Sequence, residues 1–295
     1  MKEPAGGRSR SHARRGVPAT RPPDGATPPA PFVLITGASQ GLGRALAEAS
    51  ARRGRNLALV ALPASGLPEA AAALAASYPI RVEHLEADLT ADRGVLRVQA
   101  WLARCRIPVD TLINNAGISH HGPFREAPPD RLRDLVDLNI GALVLLTRRL
   151  LPELERHPGA RILNVASLAA FHAMPHKAVY APSKTFVLNF TLALREELRG
   201  TGVRVCALCP GGVRTNPEVR ALIEGLGYLA RLSSQEPAAV AEYALRRLER
   251  GCAVIVPGAF NRATRFLGSL VPRPLALAFI RRRLRGPVLT RSGGV

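Results

Sequence analysis

The chain reads as a doubly wound α/β protein, an open parallel sheet of about seven strands with helices on both faces. Three observations predict this. Short runs rich in Val, Ile, Leu and Ala recur about seven times, with helical patterns between them. The runs are continuous rather than alternating, as strands buried on both faces require. No change of composition interrupts the alternation, so a single domain is expected over residues 32–260.

The elements follow in order. "FVLITG" (32–37) is an apolar strand ending in glycine, and "GLGRALAEASARRG" (41–54) is a helix closed by Gly54. "NLALVAL" (56–62) is a second buried strand, "PEAAAALAASY" (68–78) a helix and "IRVEHLEADL" (80–89) a third strand. "DRGVLRVQAWLARC" (92–105) is helical, and "VDTLINNAG" (109–117) is a strand and turn. Residues 129–156 predict one long helix, "ARILNVAS" (160–167) a strand and residues 178–200 another long helix. "VRVCALCPGG" (203–212), residues 237–251 and "AVIVPG" (253–258) complete the series as strand, helix and strand.

Residues 1–31 contain almost no large apolar side chain and are expected to stay disordered, since they cannot offset the entropy of ordering. The formal charge is +19, of which residues 1–31 carry about +4 and residues 261–295 about +8 with no acid. The use of arginine over lysine throughout reads as compositional drift, so the charge between the tails carries little weight. The tails lack interleaved aromatics and no recognition motif appears, so no specific nucleic-acid partner is expected. No apolar run is long enough to span a bilayer, and the N-terminus has no apolar core of a secretory signal. Cys206 and Cys209 form a C-x-x-C inside an apparent buried strand, where residues three apart face opposite sides. They read as small buried thiols rather than metal ligands, and a reducing, cytoplasmic setting is expected.

Residues 262–285 place Phe266, Leu267, Leu270 and Val271, and then Leu277, Phe279, Ile280 and Leu284, at helical spacing among arginines. This basic amphipathic extension fits an anionic membrane surface. A cap on the core or a subunit contact would account for the same pattern.

The candidate site gathers at strand ends, where doubly wound sheets bind ligands. "TGASQGLG" puts Gly37, Gly41 and Gly43 between the first strand and first helix, a loop that lets backbone approach a pyrophosphate. Asp88 follows the third strand, Asn114 to Gly117 the fourth, Ser167 the fifth and Pro210 to Thr215 the sixth. Tyr180 and Lys184 stand four apart at the head of a helix, on one face. Lys184 is one of three lysines, with Lys2 and Lys177. An ammonium beside a phenol lowers the phenol's pKa and readies it for proton transfer.

TGASQGLG, NNAG and Tyr180-x-x-x-Lys184, with Ser167 thirteen residues earlier, closely resemble the short-chain dehydrogenase/reductase family over residues 32–260. "LCPGGVRT", "VIVPGAFNR" and the basic extension are similar to its DltE-like, ketoacyl-reductase-like bacterial branch, to about residue 285. The resemblance implies a Rossmann fold, a homo-oligomer, a small carbonyl or alcohol substrate and a nicotinamide cofactor. It implies that Tyr180 is the general acid/base, that Ser167 polarises the substrate oxygen, that Lys184 holds the nicotinamide ribose and that Asn139 holds a water linking Lys184 to solvent. Cofactor contacts are implied for Gly37, Ser39, Gln40, Gly41, Leu42, Gly43, Asp88, Leu89, Asn115, Ala116, Gly117, Tyr180, Lys184, Pro210, Gly211 and Val213. Asn114 is implied at the adenosine ribose and Thr215 at the carboxamide.

No Asp or Glu stands at Ala61 or Leu62, where an NAD-specific site carries an acid, so NADP is expected over NAD, with Arg44 and Ser65 as phosphate contacts. Residues 216–232 read as helical, and their apolar Val219, Leu222, Ile223, Leu226 and Leu229 suggest a lid over a hydrophobic substrate, or simple packing on the core. His172 and His176 read as loop residues or pocket lining. A nucleotide-binding regulator with little turnover is the alternative; the joint presence of Asn139, Ser167, Tyr180 and Lys184 disfavours it.

Overall fold

A computed structural model describes residues 30–271 apart from positions 92 and 226. Most of the predicted 1–31 tail and the stretch from 272 onward lie outside the described residues. Seven parallel strands form one sheet: β1 (Phe32–Thr36), β2 (Asn56–Ala61), β3 (Val82–Glu86), β4 (Val109–Asn114), β5 (Arg161–Val165), β6 (Arg204–Leu208) and β7 (Val254–Ile255), in the order β3-β2-β1-β4-β5-β6-β7. Order reverses between β1 and β4, and the crevice above that point is where such sheets hold ligands. The connections are α1 (Gly41–Ala51), α2 (Leu67–Ser77), α3 (Gly94–Arg104), α4 (Pro129–Val136), α5 (Leu143–Leu154), α6 (Tyr180–Glu197), α7 (Pro217–Gly225), α8 (Tyr228–Ser233) and α9 (Pro237–Glu249), with α10 (Ala259–Leu270) after β7.

The strands bury both faces, and alternate residues of β1 show how. Val33 and Ile35 join Leu46, Leu59, Leu163 and Leu245 in the core under α1 and α9. Phe32 and Leu34 join Val98, Leu112, Leu146 and Ile162 in the core under α3 and α5. Each such side chain contributes roughly 1.5–3 kcal/mol by leaving water, so both layers hold the strand ends in place.

Three expectations change. The long helix predicted over 129–156 is broken by a π-helical turn, Asp137–Ala142. The wider turn admits one extra residue, and the Asn139 side chain it carries bonds the backbone of Ile118. The stretch predicted to be helical from 216 to 232 splits into α7 and α8 at Gly227, whose φ of 84° does not continue a helix. The boundary placed after residue 260 falls inside α10, because Asn261 is buried and its Nδ2 donates to Ser233 O at 3.0 Å and Pro257 O at 2.9 Å. Phe266, Leu267 and Leu270 lie exposed on α10, while Leu277, Phe279, Ile280 and Leu284 lie outside the described residues.

Candidate active site

The glycine loop follows from backbone geometry. Gly37 and Gly41 adopt φ of 65° and 57°, the left-handed region that side chains disfavour. A Cβ on Gly43 would lie 1.9 Å from Gly37 O, so α1 can approach the end of β1 only with glycine there. The loop is clamped to the end of β4. Thr36 Oγ1 accepts from the N–H groups of Asn115 and Ala116, both at 3.0 Å, and Asn115 Nδ2 donates to Thr36 O and Gly37 O.

A cleft of about 480 Å³ opens above this clamp, at the switch point. Gly37, Ser39, Gln40, Gly41, Leu42, Gly43, Asp88, Leu89, Asn115, Ala116, Gly117 and Thr215 all line it. Asp88 is oriented by Thr90, whose N–H and hydroxyl donate to its Oδ1 at 2.9 and 2.7 Å. Lining residues that sequence reasoning passed over include Thr90, Ile118, Arg131, Asp134, Leu138 and Asn216. Thr90 and Asn216 adjoin recognised motifs, but no local signal marks Arg131, Asp134 and Leu138, which the fold brings in from α4 and the π turn.

A dinucleotide fits this cleft on two observations. Gln40 makes no side-chain bond at the N-terminus of α1, which leaves first-turn N–H groups for an anion. The loop glycines bring backbone rather than side chains to the cleft wall.

Asn114 is a correction. It is buried, and its Nδ2 donates to Thr147 Oγ1 at 2.9 Å and Asn164 Oδ1 at 2.8 Å, while Asn164 donates to Thr191 Oγ1 at 3.0 Å. This network ties β4 and β5 to α5 and α6, and leaves Asn114 no path to an adenosine ribose. The physical cause is strand alternation, which sends Asn114 into the sheet's helix layer and Asn115 toward the loop. Pro210, Gly211 and Val213 do not line the cleft either. They hold the turn after β6, where Leu168 N–H donates to Pro210 O at 2.7 Å and Val213 bridges to Gln235.

Ser167, Tyr180, Lys184 and Asn139 converge beyond Gly117. Ser167 and Tyr180 are near enough to interact, and Ser167 Oγ accepts Ala169 N–H at 3.1 Å. Lys184 Nζ is buried and donates to Val165 O at 3.0 Å. A Cβ on Gly117 would lie 2.9 Å from Asn139 Oδ1 and 3.2 Å from Lys184 Nζ, so this glycine admits both. Asn139 bonds Ile118 through both amide atoms, at 2.9 and 3.0 Å, and donates to Ser183 Oγ at 3.1 Å. Ser183 Oγ in turn donates to Tyr180 O at 2.7 Å. Asn139 therefore fixes the backbone on both sides of the cleft's end.

The expected lowering of the Tyr180 pKa does not appear. Burial raises it above the ordinary phenol value, with the nearby Ser167 hydroxyl opposing. Burial likewise pushes Lys184 down to about 8. Lys184 Nζ lies 5.9 Å from the Tyr180 ring centroid and is turned toward a carbonyl, so desolvation outweighs its field. Cys206 and Cys209 are fully buried, and burial pushes their thiols up to about 11 and about 12. His172 packs against α10, where a Cβ on Gly268 would meet its ring at 2.6 Å. Of the expected lid, Ile223 is buried, Leu229 is exposed, and Leu222 and Leu226 lie outside the described side chains.

Fold and cleft together define a Rossmann-type dinucleotide-binding protein. A family model described as short chain dehydrogenase matches residues 31–222, and the chain belongs to that family, an oxidoreductase of alcohol and carbonyl groups. Ketoacyl reductase HetN of Nostoc sp. is 36% identical over 61% of this chain and 63% of its own length. The 1-deoxy-11-beta-hydroxypentalenate dehydrogenase of Streptomyces exfoliatus is 36% identical over 72% of this chain and 78% of its own. A short-chain dehydrogenase from Sphingobium yanoikuyae in complex with NADPH superposes with a TM-score of 0.69 at 32% identity, covering 82% of this chain and 97% of that one.

Proposed function

We propose that the protein is an NADP-dependent carbonyl reductase, or the corresponding alcohol dehydrogenase, with Tyr180 as proton donor. The observation that carries this reading is the gathering of Ser167, Tyr180 and buried Lys184 beyond Gly117, with Tyr180 and Lys184 on one helix and a Cβ on Gly117 only 3.2 Å from Lys184 Nζ. When bound, a reduced nicotinamide supplies the hydride. The protein does the rest. Ser167 and Tyr180 aim their hydroxyls at one carbonyl oxygen, stabilising charge as it develops there. Tyr180, kept a neutral phenol by burial, gives that oxygen its proton. Lys184 would hold ribose hydroxyls, and Asn139 keeps the strand-end backbone in register for both.

NADP is favoured because Ala61 and Leu62 present no acid to a 2′-phosphate, and Ser65 lines the cleft beside them. The nearby Glu86 carboxylate is engaged by Ala64 N–H at 3.0 Å, and Arg44 is not part of the lining. A hydrophobic substrate body is supported by the exposed Leu229 and Leu232 on α8. No described helix is long and apolar enough to cross a membrane. Peripheral attachment to an anionic surface has only the exposed face of α10 behind it, and the relatives lend it no support.

The test is a panel of aldehydes and ketones offered with NADPH and NADH, followed by loss of reduced-nicotinamide absorbance. Protein that binds cofactor yet consumes none across the panel would overturn the reading.

A further inference from the structure

Beside Tyr180 the structure gathers a second group of side chains that this reduction does not use. Lys177 Nζ stands 5.4 Å from the Tyr180 ring centroid. Among the described residues it pairs with no carboxylate and, unlike Lys184, makes no bond to a backbone carbonyl; burial shifts its pKa downward. The His121 and His176 rings lie 6.0 Å apart. The Nε2 atoms of His120 and His121 are buried without a hydrogen-bond partner in the protein. Burial, and then the charges of Lys177, His176 and His120, push the His121 imidazole down to about 4. Among the described residues no acid takes part in this cluster, and Lys177 is the lysine it contains.

The backbone builds the arrangement. His176 adopts a φ of 64°, an uncommon conformation for a residue with a side chain. The bend lets its carbonyl accept Gly122 N–H at 2.9 Å, which joins the loop after β4 to the loop before α6. Both loops leave carboxyl ends of strands, where this architecture places ligands. None of His120, His121, His176 and Lys177 lines the dinucleotide cleft. Through Lys177 they adjoin the Tyr180 ring from outside that cleft.

Lys177 is half-buried, and an ammonium partly withdrawn from water with no counter-charge beside it is favoured by the arrival of an anion. Each imidazole has a ring N–H that can be turned toward it. We propose that Lys177, with His121 and His176, binds a carboxylate of the substrate, so that the enzyme selects oxo acids or hydroxy acids over neutral counterparts. The proposal rests on the reading of Tyr180 as proton donor. One fixed positive charge matches a singly charged anion better than a phosphate dianion. The proximity of Nζ to the Tyr180 ring means that a substrate only a few bonds long reaches both groups.

The test compares kcat/KM for straight-chain oxo acids of four to eight carbons with their amides, on wild type, Lys177→Met and Lys177→Arg. A charged hydrogen bond to the carboxylate predicts an acid-over-amide preference of about tenfold to a hundredfold in wild type. Lys177→Met is expected to collapse the ratio toward one, mainly through KM for the acids, and Lys177→Arg to retain part of it. The ratio is insensitive to general damage, which lowers both terms together. In parallel, calorimetric titration of butyrate against butyramide into protein with NADPH reads binding without turnover. Lysine-dependent butyrate binding supports the carboxylate site even if no panel member is reduced, a result that would count against the reductase reading alone. Reduction of amides as well as acids, or an acid preference that survives Lys177→Met, overturns the carboxylate site and leaves the reductase reading standing.

Discussion

Replacing Asn114 by alanine separates two roles for this residue. A ribose contact would make the substitution weaken cofactor binding. The core network predicts instead a loss of stability. The change removes two donated hydrogen bonds, at 2.9 and 2.8 Å, and leaves Thr147 Oγ1 and Asn164 Oδ1 buried with one partner fewer. Leaving a buried polar group unsatisfied costs about 1–3 kcal/mol. The two share one network and do not add fully, so about 3 kcal/mol is the expected total. For a domain of this size each kcal/mol lowers Tm by about 2–4 °C, which gives a fall of about 6–12 °C. Calorimetric melting of wild type and variant measures it, and titration of NADPH by nicotinamide fluorescence on the same samples should give Kd values within about twofold. A Tm unchanged within 2 °C together with a Kd weakened about tenfold would refute the reasoning and return Asn114 to the cofactor.

Other outcomes follow from the same geometry. Tyr180→Phe keeps the ring and removes the proton donor, so turnover should fall by at least about a hundredfold with cofactor affinity nearly intact. Wild-type-like turnover would unseat Tyr180. Titration of both cofactors should show NADPH binding more tightly than NADH, and the reverse order would show that the Glu86 carboxylate decides against the 2′-phosphate. Gly43→Ala forces a Cβ against Gly37 O and should abolish cofactor binding; retained affinity would mean that α1 can retreat. For Lys184 the folded pKa of about 8 lies below the ordinary 10.5, so the unfolded chain binds the extra proton between those values. Wild-type stability relative to Lys184→Met should therefore rise by about 3 kcal/mol between pH 8 and 10.5, and denaturant melts showing no such trend would contradict the burial. Light scattering tests the homo-oligomer that the family resemblance implies.

The sequence by itself determined the architecture and the motif residues, because both rest on local physics. Continuous apolar runs are stable only as strands covered on two faces, and an alternating order of strands and helices admits few sheets. The glycines of the first loop could be read from the chain because positive φ and close approach leave no other residue type. Tertiary structure alone decided what depends on which face a side chain takes and on what surrounds it. Asn114 and Asn115 are neighbours in the chain, yet strand alternation sends one into the core and the other to the loop. The π turn at Asn139 is written in no propensity; it exists because Ile118 offers both a donor and an acceptor there. Lys184 sits four residues after Tyr180 as the sequence requires, but burial and the Val165 carbonyl, both supplied by distant chain, set the charge balance of the pair. Lys177 and the histidines around it lie in two loops more than fifty residues apart, and only the sheet, by ending β4 and β5 side by side, makes them one group.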